Sequence, residues 1–252
     1  MRYFLKLAFD GSPFHGWQSQ PNAVSVQSEL EKALTTILRC QTAVTGAGRT
    51  DTGVNARVMY AHFDSENIMD KKKFLLSLNR LCGQAIAVND VIEVADNAHA
   101  RFDATEREYR YFVTFEKSPF LSPLSWFSPS QLDMNMMNEA AEMLRHTHDF
   151  TSFAKLHSDA KTNICDLREA RWDNWQNSYG IPGAVFTIRA DRFLRNMVRA
   201  IVGTLVDVGR GRLSVADFQR IIDDRDRCSA GTSMPPQALF LWNIKYPYIH
   251  ES

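Results

Sequence analysis

Tyr3, Leu5, Leu7 and Phe9 alternate with Arg2 and Lys6, and Asp10 follows in the polar series. This period of two predicts a strand with one buried face. Gly11-Ser-Pro13 breaks it, and the apolar spacing then changes to that of a helix. Val26, Leu30, Ala33, Leu34, Ile37 and Leu38 share one stripe behind Ser25, a residue suited to an N-cap. Strands are predicted at Thr42–Gly46 and Val58–Asp64. Asp70 caps a second helix bearing Phe74, Leu75, Leu78 and Leu81, and Val91–Ala95 reads as a further strand.

The order strand-helix-strand-strand-helix-strand is that of a ferredoxin-like unit. A similar series restarts near Arg107. It has a strand at Arg107–Phe115, a helix from Asp133 to about Arg145 and strands near Ile164–Trp172 and Gly183–Ala190. A helix at Arg192–Val206, another from Ser214 and a strand at Leu239–Tyr246 complete it. The fold class expected is therefore α/β (α+β), with two ferredoxin-like βαββαβ halves at residues 1–104 and 105–252. No residue-level repeat relates the halves, and Ser118–Ser130 reads as an inserted loop.

Charge limits the partners. The chain has 29 basic and 29 acidic residues in 252, with 44% hydrophobic residues, which excludes disorder and a uniformly basic coat. Any polyanion site must be a local patch. The most apolar stretch, Ala200–Val206, is far short of the roughly 18–20 residues of a membrane span, and Lys6 and Asp10 interrupt the N-terminus as a signal peptide. Cys40, Cys82, Cys165 and Cys228 lack metal-ligand spacing and read as idle or buried thiols of a cytoplasmic protein.

Three stretches could carry chemistry. Gly46-Ala-Gly-Arg-Thr-Asp-Thr-Gly-Val-Asn55 holds one cation, Arg49, and one carboxylate, Asp51, among glycines that permit close backbone approach. Asp51 could be a nucleophile, a base or a turn former. Asp51-Thr-Gly53 matches the aspartic-protease tripeptide, but that chemistry needs two carboxylates sharing a proton, and the tripeptide occurs once. In Arg192–Gly203, helical spacing puts Arg192, Arg195, Asn196 and Arg199 opposite Phe193, Leu194, Met197, Val198 and Ile201. Residues 189–212 carry six Arg and two Asp, a local charge of +4. Such a face suits phosphate contacts or is simply solvated. In the third stretch, Arg101 and Phe102 precede Tyr109 and Tyr111, which share one strand face and could stack bases or fill a core. His99 reads as structural.

Taken in order, these segments resemble the TruA family of tRNA pseudouridine synthases. The resemblance runs through Asp10-Gly-Ser-Pro-Phe-His-Gly-Trp-Gln18, Ser25-Val-Gln27, Gly46–Gly53, His99-Ala-Arg-Phe102 and Tyr109-Arg-Tyr111. It continues through Asp149-Phe-Thr-Ser-Phe153, Phe193-Leu-Arg-Asn-Met-Val-Arg199, Ile201-Val-Gly203 and Leu239-Phe-Leu241 to Tyr246-Pro247. It implies sheets joined across a pseudo-twofold axis, a basic central cleft, and a cytoplasmic homodimer that binds tRNA without metal or cofactor.

By the same resemblance, Asp51 is the nucleophile that breaks the uridine C1′–N1 bond in the anticodon stem-loop. Arg49 helps the uridine flip out, Tyr109 stacks on it, and Arg199 pairs with Asp51. Arg192, Arg195 and Arg101 are further RNA-contact candidates. Three places depart from the family pattern: Asn55 stands where histidine is usual, Arg195 where an aromatic or polar residue is usual, and Gln237-Ala-Leu239 where Ala-x-Gly-Leu is commoner. A catalytically silent tRNA-binding or chaperone module on the same scaffold is the competing expectation.

Overall fold

The computed structural model describes residues 1–66, 68, 70–156 and 161–249. The chain forms two units, Met1–Thr105 with the C-terminal stretch from Leu241, and Glu106–Phe240.

Unit 1 contains β1 (Arg2–Phe9), α1 (Val26–Leu38), β2 (Thr45–Gly46), β3 (Asn55–Asp64), α2 (Lys71–Leu81) and β4 (Ile86–Val94). β1 lies between β3 and β4 and runs antiparallel to both, with Leu5 opposite Ala61 on one side and Val91 on the other. β2 pairs antiparallel with β3, Thr45 opposite His62. The resulting order, β4-β1-β3-β2, is that of a ferredoxin-like sheet.

Local chemistry sets the helix starts. The Ser25 hydroxyl accepts the Ser28 N–H at 3.1 Å while the Ser28 hydroxyl accepts the Ser25 N–H at 3.1 Å, a reciprocal cap. The Asp70 carboxylate accepts the Lys73 N–H at 3.0 Å. The alternating residues of β1 then meet the helices. Tyr3 stacks on Phe63 at 5.7 Å between ring centroids, and Phe63 stacks on Phe74 of α2 at 6.2 Å.

The other face of β1 is less polar than its alternation suggests. Phe4 is fully buried because Tyr246 and Tyr248 lie edge-on to its ring, at 5.4 and 6.2 Å. Covering Phe4 draws the chain's last segment into unit 1, although sequence order groups it with residues 105–252.

Unit 2 contains β5 (Glu106–Thr114), β6 (Trp126–Phe127), α3 (Met134–Met143), β7 (Leu167–Trp175), β8 (Gly183–Ala190), α4 (Met197–Gly209) and α5 (Val215–Asp224). The start of β9 (Leu239–Lys245) also belongs to it. β8 lies between β5 and β7, antiparallel to both, with Ile188 opposite Tyr109 and Ala170. Each unit is thus a mixed α/β layer structure.

The start of α4 differs from the expectation of a helix from Arg192. Asn196 adopts φ +65°, a left-handed conformation, so the helix begins at Met197. Arg192 and Arg195 therefore sit in the irregular segment before α4 and share no helix face with Arg199. Nor does α4 present a solvated polar side. Gly203 packs under residues 231–234, where a Cβ would strike the Thr232 carbonyl oxygen. The Gly231 N–H donates to the Thr204 hydroxyl at 2.9 Å and the Met234 N–H to the Arg199 carbonyl at 3.1 Å.

Candidate active site

In unit 1 the loop bearing Arg49 and Asp51 is closed by backbone. The Asp51 carbonyl accepts the Val54 N–H at 3.1 Å, with Gly53 at φ +75° between them, the conformation that glycine adopts without steric cost. The main chain of Asp51 thus closes the turn, and its side chain is half-buried. Arg49 is exposed, two residues earlier.

The segment after β1 braces this loop. The Thr50 carbonyl accepts the Trp17 N–H at 3.3 Å. Gly11 lies so close that a Cβ would strike the Val54 carbonyl oxygen, and Gly16, at φ +89°, is similarly close to Thr50. Trp17 is buried against Gly46, where a Cβ would meet the indole ring. Asn55, the departure from the family pattern, is buried, and its side-chain oxygen accepts the Gly11 N–H at 2.7 Å. It therefore ties the two segments together. Trp17, Gly11 and Gly16 are supports that composition alone does not single out; their signal is the Gly-Ser-Pro-Phe-His-Gly-Trp run itself.

Arg101 occupies a separate turn of unit 1. It is exposed, its guanidinium 5.8 Å from the centroid of the Phe102 ring. His99 is structural, as expected: its Nδ1 accepts the Arg101 and Phe102 N–H groups at 3.1 and 3.3 Å. Beneath it, His62 accepts the Ala100 N–H through Nδ1 at 3.1 Å. Burial, aided by the Arg2 charge, pushes the His62 pKa down to about 4, so it stays a neutral acceptor.

In unit 2, Tyr109 and Tyr111 share a face of β5 but not a fate. Tyr111 is core: fully buried, it donates its hydroxyl to the Pro235 carbonyl at 3.1 Å, and burial raises its phenol above the usual range. Tyr109 is only half-buried, its ring edge-on to Phe193 at 5.0 Å and 84°. Phe193 belongs to the segment that carries Arg192 and Arg195, so the tyrosine and this basic stretch are neighbours.

That segment is fixed by Asp191, which the sequence reading passes over. Its carboxylate accepts the Asp166 N–H at 2.8 Å and the Arg192 N–H at 2.7 Å, and its carbonyl accepts from Arg107 at 2.7 Å. Arg192 is half-buried and Arg195 exposed, with the Arg195 carbonyl accepting the Lys155 N–H at 3.1 Å. Arg199, in the first turn of α4, donates Nε–H to the Met234 carbonyl at 2.6 Å. Four other arginines of this unit are committed to ion pairs on the sheet: Arg110 and Arg189 with Glu108, Arg168 with Glu106, and Arg171 with Glu169.

Residues 140–247 match the family described as tRNA pseudouridine synthase. A protein of Bacteroides fragilis named tRNA pseudouridine synthase A is 56% identical over 98% of this chain and 96% of its own length. The chain belongs to the tRNA pseudouridine synthase A family. Relatives of the same name from Bacteroides thetaiotaomicron, at 54% identity, and Chlorobaculum tepidum, at 37%, align over 98% and 96% of the chain. Among the described residues no cluster of His, Cys, Asp and Glu could hold a metal ion, and no helix is long and apolar enough to cross a membrane.

Proposed function

We propose that this protein isomerises uridine to pseudouridine in the anticodon stem-loop of tRNA, with Asp51 as the nucleophile. Kinship with synthases over nearly the whole chain supports the reaction. The observation that carries the residue assignment is that the Asp51 backbone is fixed, its carbonyl accepting the Val54 N–H while Gly11 and Gly16 pack against the loop, so that a half-buried carboxylate is held in a set position.

The carboxylate attacks ribose C1′ or uracil C6, and the C1′–N1 bond breaks. The detached ring turns, C5 bonds to C1′, the C5 proton leaves, N1 is protonated and the carboxylate is released. The change is an isomerisation, so no oxidant, reductant or co-substrate is consumed, and a carboxylate suffices without metal or cofactor. A second carboxylate, which glycosidase chemistry uses, is not needed because the base returns.

In this reading Arg49 assists eversion of the uridine, Tyr109 stacks on the uracil, and Arg199 supplies the guanidinium that partners the nucleophile. Arg192, Arg195 and Arg101 bind phosphates. The protein works in the cytoplasm as a homodimer.

The test is tritium release from tRNA labelled at uridine C5. Wild type releases tritium and Asp51→Ala does not. Release by Asp51→Ala at the wild-type rate overturns the nucleophile, and no release by either protein, with tRNA binding intact, favours a silent binding module.

A further inference from the structure

Phe102 is 74% exposed, the most exposed of the large apolar side chains among the described residues. It does not hang from a loose loop. Its own N–H donates to His99 Nδ1 at 3.3 Å, and the Asp103 N–H donates to the His99 carbonyl at 3.0 Å. The Asp103 carboxylate turns inward, accepting the His99 N–H at 2.7 Å and the Tyr248 hydroxyl at 2.8 Å. His62 and Tyr246 hold the Ala100 N–H and carbonyl from below. A turn this fully bonded presents one phenyl ring outward in a fixed pose.

We propose that Phe102 is a stacking platform for an unpaired nucleobase of the bound tRNA, with the adjacent Arg101 contacting the phosphate chain. The inference rests on tRNA being the substrate. Two features favour a base over a protein partner. Within this turn Phe102 is the one strongly exposed apolar side chain, with the His99 ring 4.3 Å from it and Tyr248 reaching the turn through its hydroxyl, whereas protein interfaces use a contiguous apolar centre. The ring is flanked by the Arg101 cation, 5.8 Å from its centroid, while the nearby carboxylate is engaged within the turn. One aromatic face beside one cation is the usual way of holding an unstacked nucleotide.

The experiment compares wild type, Phe102→Ala and Phe102→Trp as full chains on transfer RNA transcripts. Phe102→Ala is expected to raise KM for tRNA about tenfold, the scale of one lost stacking contact, while lowering kcat far less. Phe102→Trp is expected to restore KM and to show fluorescence quenching by tRNA beyond that of wild type. An unchanged KM in Phe102→Ala, with wild type forming pseudouridine normally, overturns the proposal and leaves the function intact. A shift of Phe102→Ala to a lighter species in sedimentation, without a KM effect, assigns the ring to a second copy of the chain and overturns it equally. Should wild type form no pseudouridine, the functional reading fails by itself. Quenching of Phe102→Trp by the same tRNA then still decides for stacking, and its absence against.

Discussion

Two turns of unit 1, residues 50–54 and 99–103, are both held rigid by groups far away in sequence, yet they are built in opposite senses. The first is recessed. Gly11, Gly16 and Trp17 lie against it and Asn55 ties it down through the Gly11 N–H, so the Asp51 side chain is half-buried. The second projects. His62, His99 and Tyr246 bond its backbone, Tyr248 bonds the Asp103 carboxylate, and Phe102 and Arg101 are exposed. Rigidity alone therefore does not mark a catalytic residue. A carboxylate is useful for chemistry where the fold shelters it, and an aromatic ring is useful for binding where the fold exposes it.

The contrast can be broken most sharply at Asp51. Asp51→Ala should lower turnover by at least about 10⁴-fold, as loss of a nucleophile does, an effect far larger than any accompanying loss of stability, since the Asp51 carbonyl still accepts the Val54 N–H. A parallel collapse of stability, read by thermal unfolding, would make Asp51 a structural turn former after all. Gly11→Ala tests the brace: its Cβ meets the Val54 carbonyl oxygen, so a loss of about 2–4 kcal/mol is expected. In a chain this long that lowers the unfolding midpoint by several degrees.

The projecting turn should be the pH-sensitive one. His62 has its pKa lowered to about 4 by burial and by the Arg2 charge, so the unfolded chain takes up its proton first. The stability it contributes is full above about pH 6.5 and is lost as pH falls toward 4. Discounted for partial exposure, this is about 2 kcal/mol. In His62→Gln, which keeps an acceptor for the Ala100 N–H, the slope of unfolding temperature against pH in that window should flatten. An unchanged slope would locate the acid sensitivity elsewhere. The smallest effect belongs to Arg101→Ala. It should weaken tRNA binding a few-fold and reduce the salt dependence by about one phosphate contact, measurable by filter binding at several ionic strengths.

Much of this was readable from local pattern. Ser25, Asp70, Asp133 and Ser214 begin α1, α2, α3 and α5 where an N-cap residue precedes an apolar stripe, because capping depends on neighbours three residues away. The Asp51 loop was legible as a polar glycine-rich stretch for the same reason. The start of α4 was not legible, since helical periodicity continues through Arg192 while Asn196 leaves the helical region. Nor was the different burial of Tyr109 and Tyr111, which share a strand face. That depends on residues 234–235 and on Phe193, brought in from other parts of the chain.

The sequence by itself determined the βαββαβ order, the helix caps and the residue types offered for chemistry, since each is set by period and by short-range hydrogen bonding. Only the tertiary structure decided that the segment after Leu241 closes over Phe4, that Gly203 lies beneath another segment instead of in water, and that Phe102 faces outward. Those outcomes come from the competition for buried surface among segments distant in sequence, which no local spacing records.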